Sequence, residues 1–349
     1  MSIKMKTLMR VSPLKFIVLS LAAAVILAGH LQAAAVIKIG TIVPLRSPWM
    51  DELRKMDVEW RRITKDEVSL KIYAGGIAGS EEDMVRKIRM GILGGAVFTN
   101  LGITNIYSDA FVLNIPFFID SDKEMDYVME RMTPIFEKEI EKRGFKMILW
   151  SRAGWLNFFS KNPIIYPDDL KKHKLSFTTG APEMEQAWKK SGFQVVPNEL
   201  KDVMMGLQSG MITAFYLPPM MAAAGQYFGL APHMCSLKIA PMVGGFLISK
   251  KIWDEIPDKY KTEMVAVAKK MADNLFQKTG DLEKEAMTEM IKNGLIVNQA
   301  PPDAMAKWRA AADKGLGELI GKAFSKEIYD TLLKYIDEYR KLNEQKQPR

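Results

Sequence analysis

Apolar and polar residues alternate with a period of two across residues 36–43 (VIKIGTIV), the mark of a half-buried strand. The spacing then changes. Met50, Leu53, Met56 and Trp60 recur at helical intervals, which predicts a helix over 49–64 behind a turn at 44–48. Residues 68–73 read as a second strand, and the glycine-rich turn 75–80 (GGIAGS) leads into a helix ending near Met90. Ser80 followed by Asp83 is the signature of a capping box. Such a turn could instead cradle a phosphate, but it lacks the P-loop lysine, departs from G-x-G-x-x-G, and runs into three acids. The cap fits the residues better. Further strands fall at 94–100 and 145–150, on either side of a helix over 123–144 that Gly144 stops.

The middle of the chain carries three short apolar runs, 156–159, 175–177 and 214–217, which alternate with segments of helical period. Another strand falls at 242–249. From Pro257 to about residue 293 the chain is almost uninterrupted helix former, weakened strongly only at Gly280. An unbroken helix there would reach about 50 Å, longer than one domain is wide; the other reading is two ordinary helices broken at Gly280. A short strand at 295–299 and a last helical region opening at Pro301-Pro302-Asp303 complete the chain, with a polar tail at 343–349. The 349 residues suffice for about two domains, and the order of elements predicts an α/β fold.

Four segments in the second half carry a more specific pattern: Pro167-Asp168-Asp169-Leu170-Lys171, Lys174-Leu175-Ser176-Phe177, Leu207-Gln208-Ser209-Gly210 and Phe215-Tyr216-Leu217-Pro218. They resemble the ligand-facing domain of the solute-binding subunits of tripartite ATP-independent periplasmic (TRAP) transporters. Gly75-Gly76 with Gly79-Ser80-Glu81-Glu82, and Asn114-Ile115-Pro116-Phe117, extend the resemblance through the N-terminal third. The resemblance implies a two-lobed periplasmic-binding-protein fold with a long helix spanning both lobes. Residues 36–153 plus 244–282 would form one lobe and 154–243 plus 283–349 the other, with the ligand cleft between them. It also implies membrane permease subunits as partners, with an accessory periplasmic protein as a further one.

The N-terminus is a separate matter. Lys4, Lys6, Arg10 and Lys15 precede the apolar run 16–29, and Ala33-Ala34-Ala35 offers small residues for cleavage, the layout of a secretory signal peptide over 1–35. About 14 apolar residues is short for a membrane span, which needs about 20. No cysteine lies near the cut to carry a lipid, so a soluble periplasmic protein is expected. Removing four basic residues and no acid takes the formal charge from +8 to +4. The remaining charges alternate in sign along helices, as in Asp51-Glu52-Leu53-Arg54-Lys55, which disfavours nucleic acid as a partner.

Catalytic constellations are missing. Only His173 and His233 survive signal removal, and neither HExxH nor G-x-S-x-G occurs. Asp168-Asp169 looks like a carboxylate pair, but adjacent residues on an extended chain point apart and one of the two reads as a turn cap; Lys171-Lys172-His173-Lys174 reads as a solvated edge or an anion patch, and the lone Cys235 as a buried apolar residue. No cofactor or metal site is implied. A binding protein, not an enzyme, is the expectation; a periplasmic scaffold on the same fold is the alternative.

The resemblance breaks at one chemically decisive point. Family members that bind organic acids use an arginine at the end of the first cleft strand and another in a Lys-x-Arg strand, because a guanidinium grips a carboxylate with two parallel hydrogen bonds. Here Leu156 and Ser176 stand at those places, and Leu217 occupies a position that is often polar. Arg152, four residues before Leu156 and on the same face of a regular strand, is the candidate to compensate. Trp155, Phe158, Phe159, Trp188, Phe215 and Tyr216, with Met204, Met205, Met220 and Met221, supply apolar surface nearby, as does Phe117 in the first lobe. These residues are cleft lining on one reading and core on the other. The expected ligand is mostly apolar.

Overall fold

A computed structural model describes residues 35–178 and 180–344. The chain runs β1 (Ala35–Thr41), α1 (Pro48–Thr64), β2 (Val68–Tyr73), α2 (Glu81–Arg89), β3 (Gly95–Thr99), α3 (Asn100–Thr104), a 3-10 turn (Ser108–Asn114), α4 (Asp122–Lys142) and β4 (Phe145–Trp155). It continues through β5 (Asn157–Ser160), α5 (Pro167–Leu170), β6 (Lys174–Phe177), α6 (Pro182–Lys190), β7 (Gln194–Pro197), α7 (Val203–Ser209), β8 (Ala214–Leu217), α8 (Pro219–Ala224) and β9 (His233–Cys235). Then come β10 (Pro241–Ser249), α9 (Lys250–Glu255), α10 (Asp258–Lys292), β11 (Ile296–Asn298), α11 (Ala304–Leu316) and α12 (Lys326–Glu344). The expected signal peptide at 1–35 lies, but for Ala35, outside the described residues, as does most of the polar tail.

Two sheets result, ordered β2-β1-β3-β10-β4 and β11-β9-β5-β8-β6-β7. In the first, β1, β2 and β3 are parallel and β10 runs against both β3 and β4. In the second, β6 is parallel to β7 and β8, while β5 runs against β8. One core of buried side chains lies between the first sheet, α1 and α10. A second lies between the other sheet, α7, α8 and the end of α10. The third is continuous from Phe98 and Phe136 beside the first sheet to Phe158, Phe177 and Trp308 beside the second. Helices therefore cover both faces of each sheet, the α/β architecture expected from the sequence.

Three segments cross between the sheets. Only Leu156 separates β4 from β5, and it keeps the ladder intact: its N–H donates to the Ala240 carbonyl (3.0 Å) and its carbonyl accepts from Ile239 N–H (2.8 Å). The returning chain through β10 is the second crossing. The third is α10, unbroken for 35 residues through Gly280. Tyr260, Met264, Ala268, Met271, Leu275 and Thr279 form its buried stripe. Those from Tyr260 to Leu275 join the core of the first sheet, whereas Met290 joins that of the second. Gly280 falls where the stripe changes sheets, with open space around it.

Several local expectations hold for physical reasons visible here. Ser80 Oγ accepts from Asp83 N–H (3.1 Å) and Asp83 accepts from Ser80 N–H (3.2 Å), a complete capping box. Asp169 accepts from the N–H groups of Ile165 and Tyr166, while Asp168 pairs with Lys171 in solvent. Cys235 is buried and its thiol is pushed up to about 11 by that burial. After β3, α3 and the 3-10 turn follow directly. Phe117, just beyond, adopts φ +65°, an unusual conformation for a bulky residue.

Candidate functional site

The strand order marks a candidate site. In the first sheet the chain leaves β1 for β2 on one side and then reaches β3 on the other, so the crevice lies beyond the C-terminal ends of β1 and β3. In the second sheet β6 plays the same part between β7 and β8. Because β4 runs parallel to β3 into the crossing, the ends of β1 and β3 point toward the second sheet. Because β5 begins at the crossing and runs against β8, the end of β8 points back. The two switch points face one another across Leu156.

At the first switch point, Thr99 and Asn100 close β3. Glu81 accepts from Thr99 N–H (2.5 Å) and Thr99 Oγ1 (2.7 Å), which ties α2 to the start of α3. Burial raises the Glu81 carboxyl above its ordinary range, against the lowering effect of those hydrogen bonds. Asn100 donates from Nδ2 to the Ala110 carbonyl (3.0 Å) and to Asn114 Oδ1 (2.9 Å). Beyond β1, the N–H groups of Gly75 and Gly76 donate to the Val43 and Thr41 carbonyls, and both glycines sit at positive φ. Ile42, Leu45, Arg46 and Ile77 around this end are exposed.

At the second switch point, Ser176 is buried and its Oγ accepts from Asn198 Nδ2 (3.2 Å). Leu217 is half-buried and lies opposite Asn157, whose amide donates to the Cys235 and Leu237 carbonyls. Leu156 is half-buried against the core that both sheets share. No guanidinium occupies any of these three places.

The expected aromatic lining divides between the two faces of the second sheet. Phe158, Trp188 and Tyr216 meet edge-on or tilted at 6.1–6.4 Å on one face, and Phe158 stacks on Trp308 at 5.1 Å. Phe117, from the loop before α4, joins them, 5.2 Å from Trp308 and 1 % exposed. Phe215 instead stacks on Phe159 at 5.2 Å on the opposite face. Met205 is 61 % exposed, and Met204, Met220 and Met221 are half-buried. The sequence could not sort these residues because apolar neighbours lie on both faces of the second sheet.

Arg152 corrects one expectation. A bulge sets Arg152 and Trp155 against Val243 and Pro241, and Gly154 between them lies at φ +88°. Strand alternation is lost, so the expectation that Arg152 shares the face of Leu156 fails. Its side chain, 18 % exposed, pairs with Asp126 (2.8 Å) and Asp122 (3.5 Å) and lies 4.0 Å over the Phe276 ring. Trp155 donates from Nε1 to Asp122 (3.2 Å). Arg309 and Arg340 reach the same helix start: Arg309 pairs with Asp120, and Arg340 with Asp120 (3.1 Å) and buried Glu124 (2.8 Å). On α10, Glu283 lies against Gly154; burial raises its carboxyl, Asp122 adds to the rise and Lys238 opposes it.

Two surface grooves lie beside the junction, away from the strand ends on the second sheet. One, about 600 Å³, is lined by Asp51, Arg54 and Lys55 of α1 and by Lys278, Asp281 and Glu285 of α10. The other, about 500 Å³, follows Leu45–Pro48, with Asp51 and Arg54 shared. Their charges are mixed and paired in part, as in Arg54–Asp51, and Arg46 lines the second. Among the described residues no group of His, Cys, Asp and Glu could hold a metal ion.

Comparison with known proteins decides the family. The bacterial extracellular solute-binding proteins, family 7, match residues 39–322. The chain belongs to that family. It is 22 % identical over 279 residues to the 2,3-diketo-L-gulonate-binding periplasmic protein YiaO of Escherichia coli, covering 79 % of this chain and 83 % of that one. A TRAP periplasmic solute-binding protein of Ochrobactrum anthropi, solved with its C-terminus in the ligand-binding pocket, superposes with a TM-score of 0.81 at 17 % identity, over 90 % of this chain and 98 % of that one. Another, from Xanthobacter autotrophicus with bound β-D-galacturonate, gives a TM-score of 0.76 at 18 % identity over 86 % and 99 %. The two-lobed fold with its spanning helix is therefore that of the TRAP solute-binding proteins, and the chain is a substrate-binding protein of transport, not an enzyme. No helix among the described residues is long and apolar enough to cross a membrane.

Proposed function

We propose that this solute-binding protein captures a mainly apolar molecule that is not anchored by a carboxylate, and delivers it to membrane permease subunits. The observation that carries the reading is the absence of a guanidinium at Leu156, Ser176 and Leu217, where the two switch points meet. The arginines gathered at the start of α4, Arg152, Arg309 and Arg340, are each already paired with acids of α4 or the turn before it. Burying a carboxylate without a partner costs several kcal/mol. Exposed Ile42, Leu45 and Ile77 at the end of β1 add apolar surface on the other side.

The lobes proposed are 36–153 with 244–282 and 154–243 with 283–349, closing by bending at Leu156, Ala240 and α10. That division counts the last helix, α12, with the second lobe, but α12 lies against α4 of the first through Arg340 and Glu124, so α12 would move with the first lobe. Export through a signal peptide removed after Ala35 completes the reading; N-terminal sequencing of periplasmic protein that began at Met1 would count against it. Closure predicts a smaller radius of gyration in scattering with saturating ligand, and an unchanged radius would favour a rigid scaffold.

A second reading has its own support. The Xanthobacter relative holds a sugar acid, and Arg46, exposed in the loop after β1, is a cation that no sequence motif marks. Calorimetry separates the two. The apolar reading expects D-galacturonate, D-glucuronate and small dicarboxylates to bind no tighter than millimolar. Micromolar binding that Arg46→Ala or Arg152→Ala abolishes would replace it and show which residue holds the charge.

A further inference from the structure

We infer that the end of the first sheet remote from the cleft is a docking face for a bilayer surface carrying anionic headgroups. The inference does not depend on what the cleft binds.

Three segments meet at that end. The chain leaves α2 there, passes from α4 to β4 there, and ends β10 there. The Ser249 N–H donates to the Gly94 carbonyl (2.9 Å) and the Lys250 N–H to the Gly144 carbonyl (2.8 Å). The Arg89 guanidinium lies 6.0 Å over the Phe145 ring. Strand β3 starts beside this end at Gly95 and finishes beside the cleft at Thr99, so a partner here leaves the cleft free.

The turn that closes α2 is fixed by its backbone and presents apolar side chains to solvent. The Gly91 N–H donates to the Ile88 carbonyl (3.0 Å) and the Ile92 N–H to the Lys87 carbonyl (2.9 Å), with Gly91 at φ +73°. In such caps the apolar residue after the glycine commonly packs back onto the helix. Here Leu93 fills the interior, while Met90 is 66 % and Ile92 50 % exposed. The cap needs neither side chain.

Cations surround this pair. Residues 83–94, 139–146 and 249–255 hold eight Lys and Arg against five Asp and Glu. Asp83, Glu139, Glu141 and Asp254 are each paired with a neighbouring cation. Arg89 and Lys251 have no acid within ion-pair distance among the described residues. Arg89 lies in the last turn of α2, where the helix dipole favours a cation. Lys250 and Lys251 open α9, where the dipole disfavours one. Local helix chemistry therefore does not account for them.

Exposed apolar side chains among unpaired cations fit a surface that offers both anions and hydrocarbon. An anionic bilayer does so: Lys and Arg meet the headgroups while Met90 and Ile92 reach the acyl boundary. An acidic protein segment would answer the cations and leave the two apolar residues in water.

Sedimentation with vesicles tests this in the exported protein. Phosphatidylcholine with about 40 % phosphatidylglycerol should bind it about tenfold more strongly than phosphatidylcholine alone, and raised salt should weaken the binding. Arg89→Glu with Lys251→Glu, and Met90→Ser with Ile92→Ser, should each weaken it about fivefold or more. Lys190→Glu, exposed on α6 beside the other sheet, should leave it unchanged. A nitrobenzoxadiazole label on Met90→Cys should shift its emission to the blue with anionic vesicles; native Cys235 is buried. No binding to anionic vesicles, equal binding to both compositions, or binding that both double variants leave intact would overturn the inference. Retention on poly-L-glutamate without vesicle binding would overturn it too, and assign the face to an acidic protein.

Discussion

The start of α4 and the ends of β6 and β8 lie at one junction and treat charge in opposite ways. Around α4, Asp120, Asp122, Glu124 and Asp126 gather Arg152 from β4, Arg309 from α11 and Arg340 from α12. At the strand ends, Leu156, Ser176 and Leu217 bring no ionised group. The acids near the helix N-terminus are favoured by its dipole, and their charge draws cations from three other elements. Arginine in this region thus ties β4, α11 and α12 to the start of α4. The uncharged strand ends are left to shape, apolar surface and single hydrogen bonds.

The largest effect should come from breaking the charged side of that contrast. Arg340→Ala leaves the Glu124 carboxylate, 2 % exposed, without its cation, and also frees the Phe118 carbonyl that Arg340 holds at 2.8 Å. Removing one partner of a fully buried pair costs about 3–5 kcal/mol. Arg340 is about a third exposed, so about 2 kcal/mol is expected here, a fall in Tm of roughly 4–8 °C. Urea unfolding measures it, and a loss under about 0.5 kcal/mol would reduce these ion pairs to ordinary surface contacts.

Next in size is Gly154→Ala. Residue 154 lies at φ +88°, and a Cβ there would come within 2.9 Å of Glu283 Oε2. Strain at positive φ and that contact together should cost about 1–2 kcal/mol. Repeating the substitution in a Glu283→Ala background separates the two causes, since only the contact is relieved there. No loss in either background would mean the crossing strand is free to relax.

The uncharged side is sharpened by adding what it lacks. Leu156→Arg, at a half-buried position, should tighten D-galacturonate binding about tenfold, the scale of one charge-assisted pair. Calorimetry of wild type and variant decides. No gain, in a folded variant, would show that residue 156 does not face the solute.

Much of this molecule is legible in its sequence because it depends on local pattern. The regular apolar spacing from Tyr260 to Leu275 is enough to read helix there, while its continuity through Gly280 stays open in the sequence and is seen only in α10 itself. Ser80 and Asp83 announce their cap. The missing arginines are visible as Leu156 and Ser176 in the motif alone. What stays hidden depends on register and distance. A single bulge at Gly154 turns Arg152 toward α4, and nothing in the local sequence announces a bulge of that size. Asn100 carries no sequence signal for its role, because an asparagine after a strand usually caps a helix or a turn; here its amide instead holds the Ala110 carbonyl and Asn114. Its neighbour Glu81 reads as one more first-turn acid, yet it binds Thr99, eighteen residues on.

The smallest effect predicted is also the one whose sign says most about the junction. Glu283 has a carboxyl raised above 4.5, chiefly by burial and further by Asp122, with Lys238 pulling the other way. A folded-state value above the unfolded one means the folded protein holds the proton longer. Its contribution to stability is then fully present below about pH 4.5 and lost as pH rises through the raised value. Glu283→Gln keeps the shape and removes the titration. The variant should therefore gain on the wild type between pH 4.5 and 7, by about 0.5–1 kcal/mol given partial exposure. Urea unfolding at half-unit steps from pH 4 to 7.5 would show the gap opening upward. A gap that opened downward instead would mean the attraction of Lys238 outweighs burial and Asp122 together. The crossing would then hold an ion pair of its own, and the contrast between the charged helix start and its uncharged surroundings would have to be drawn further out.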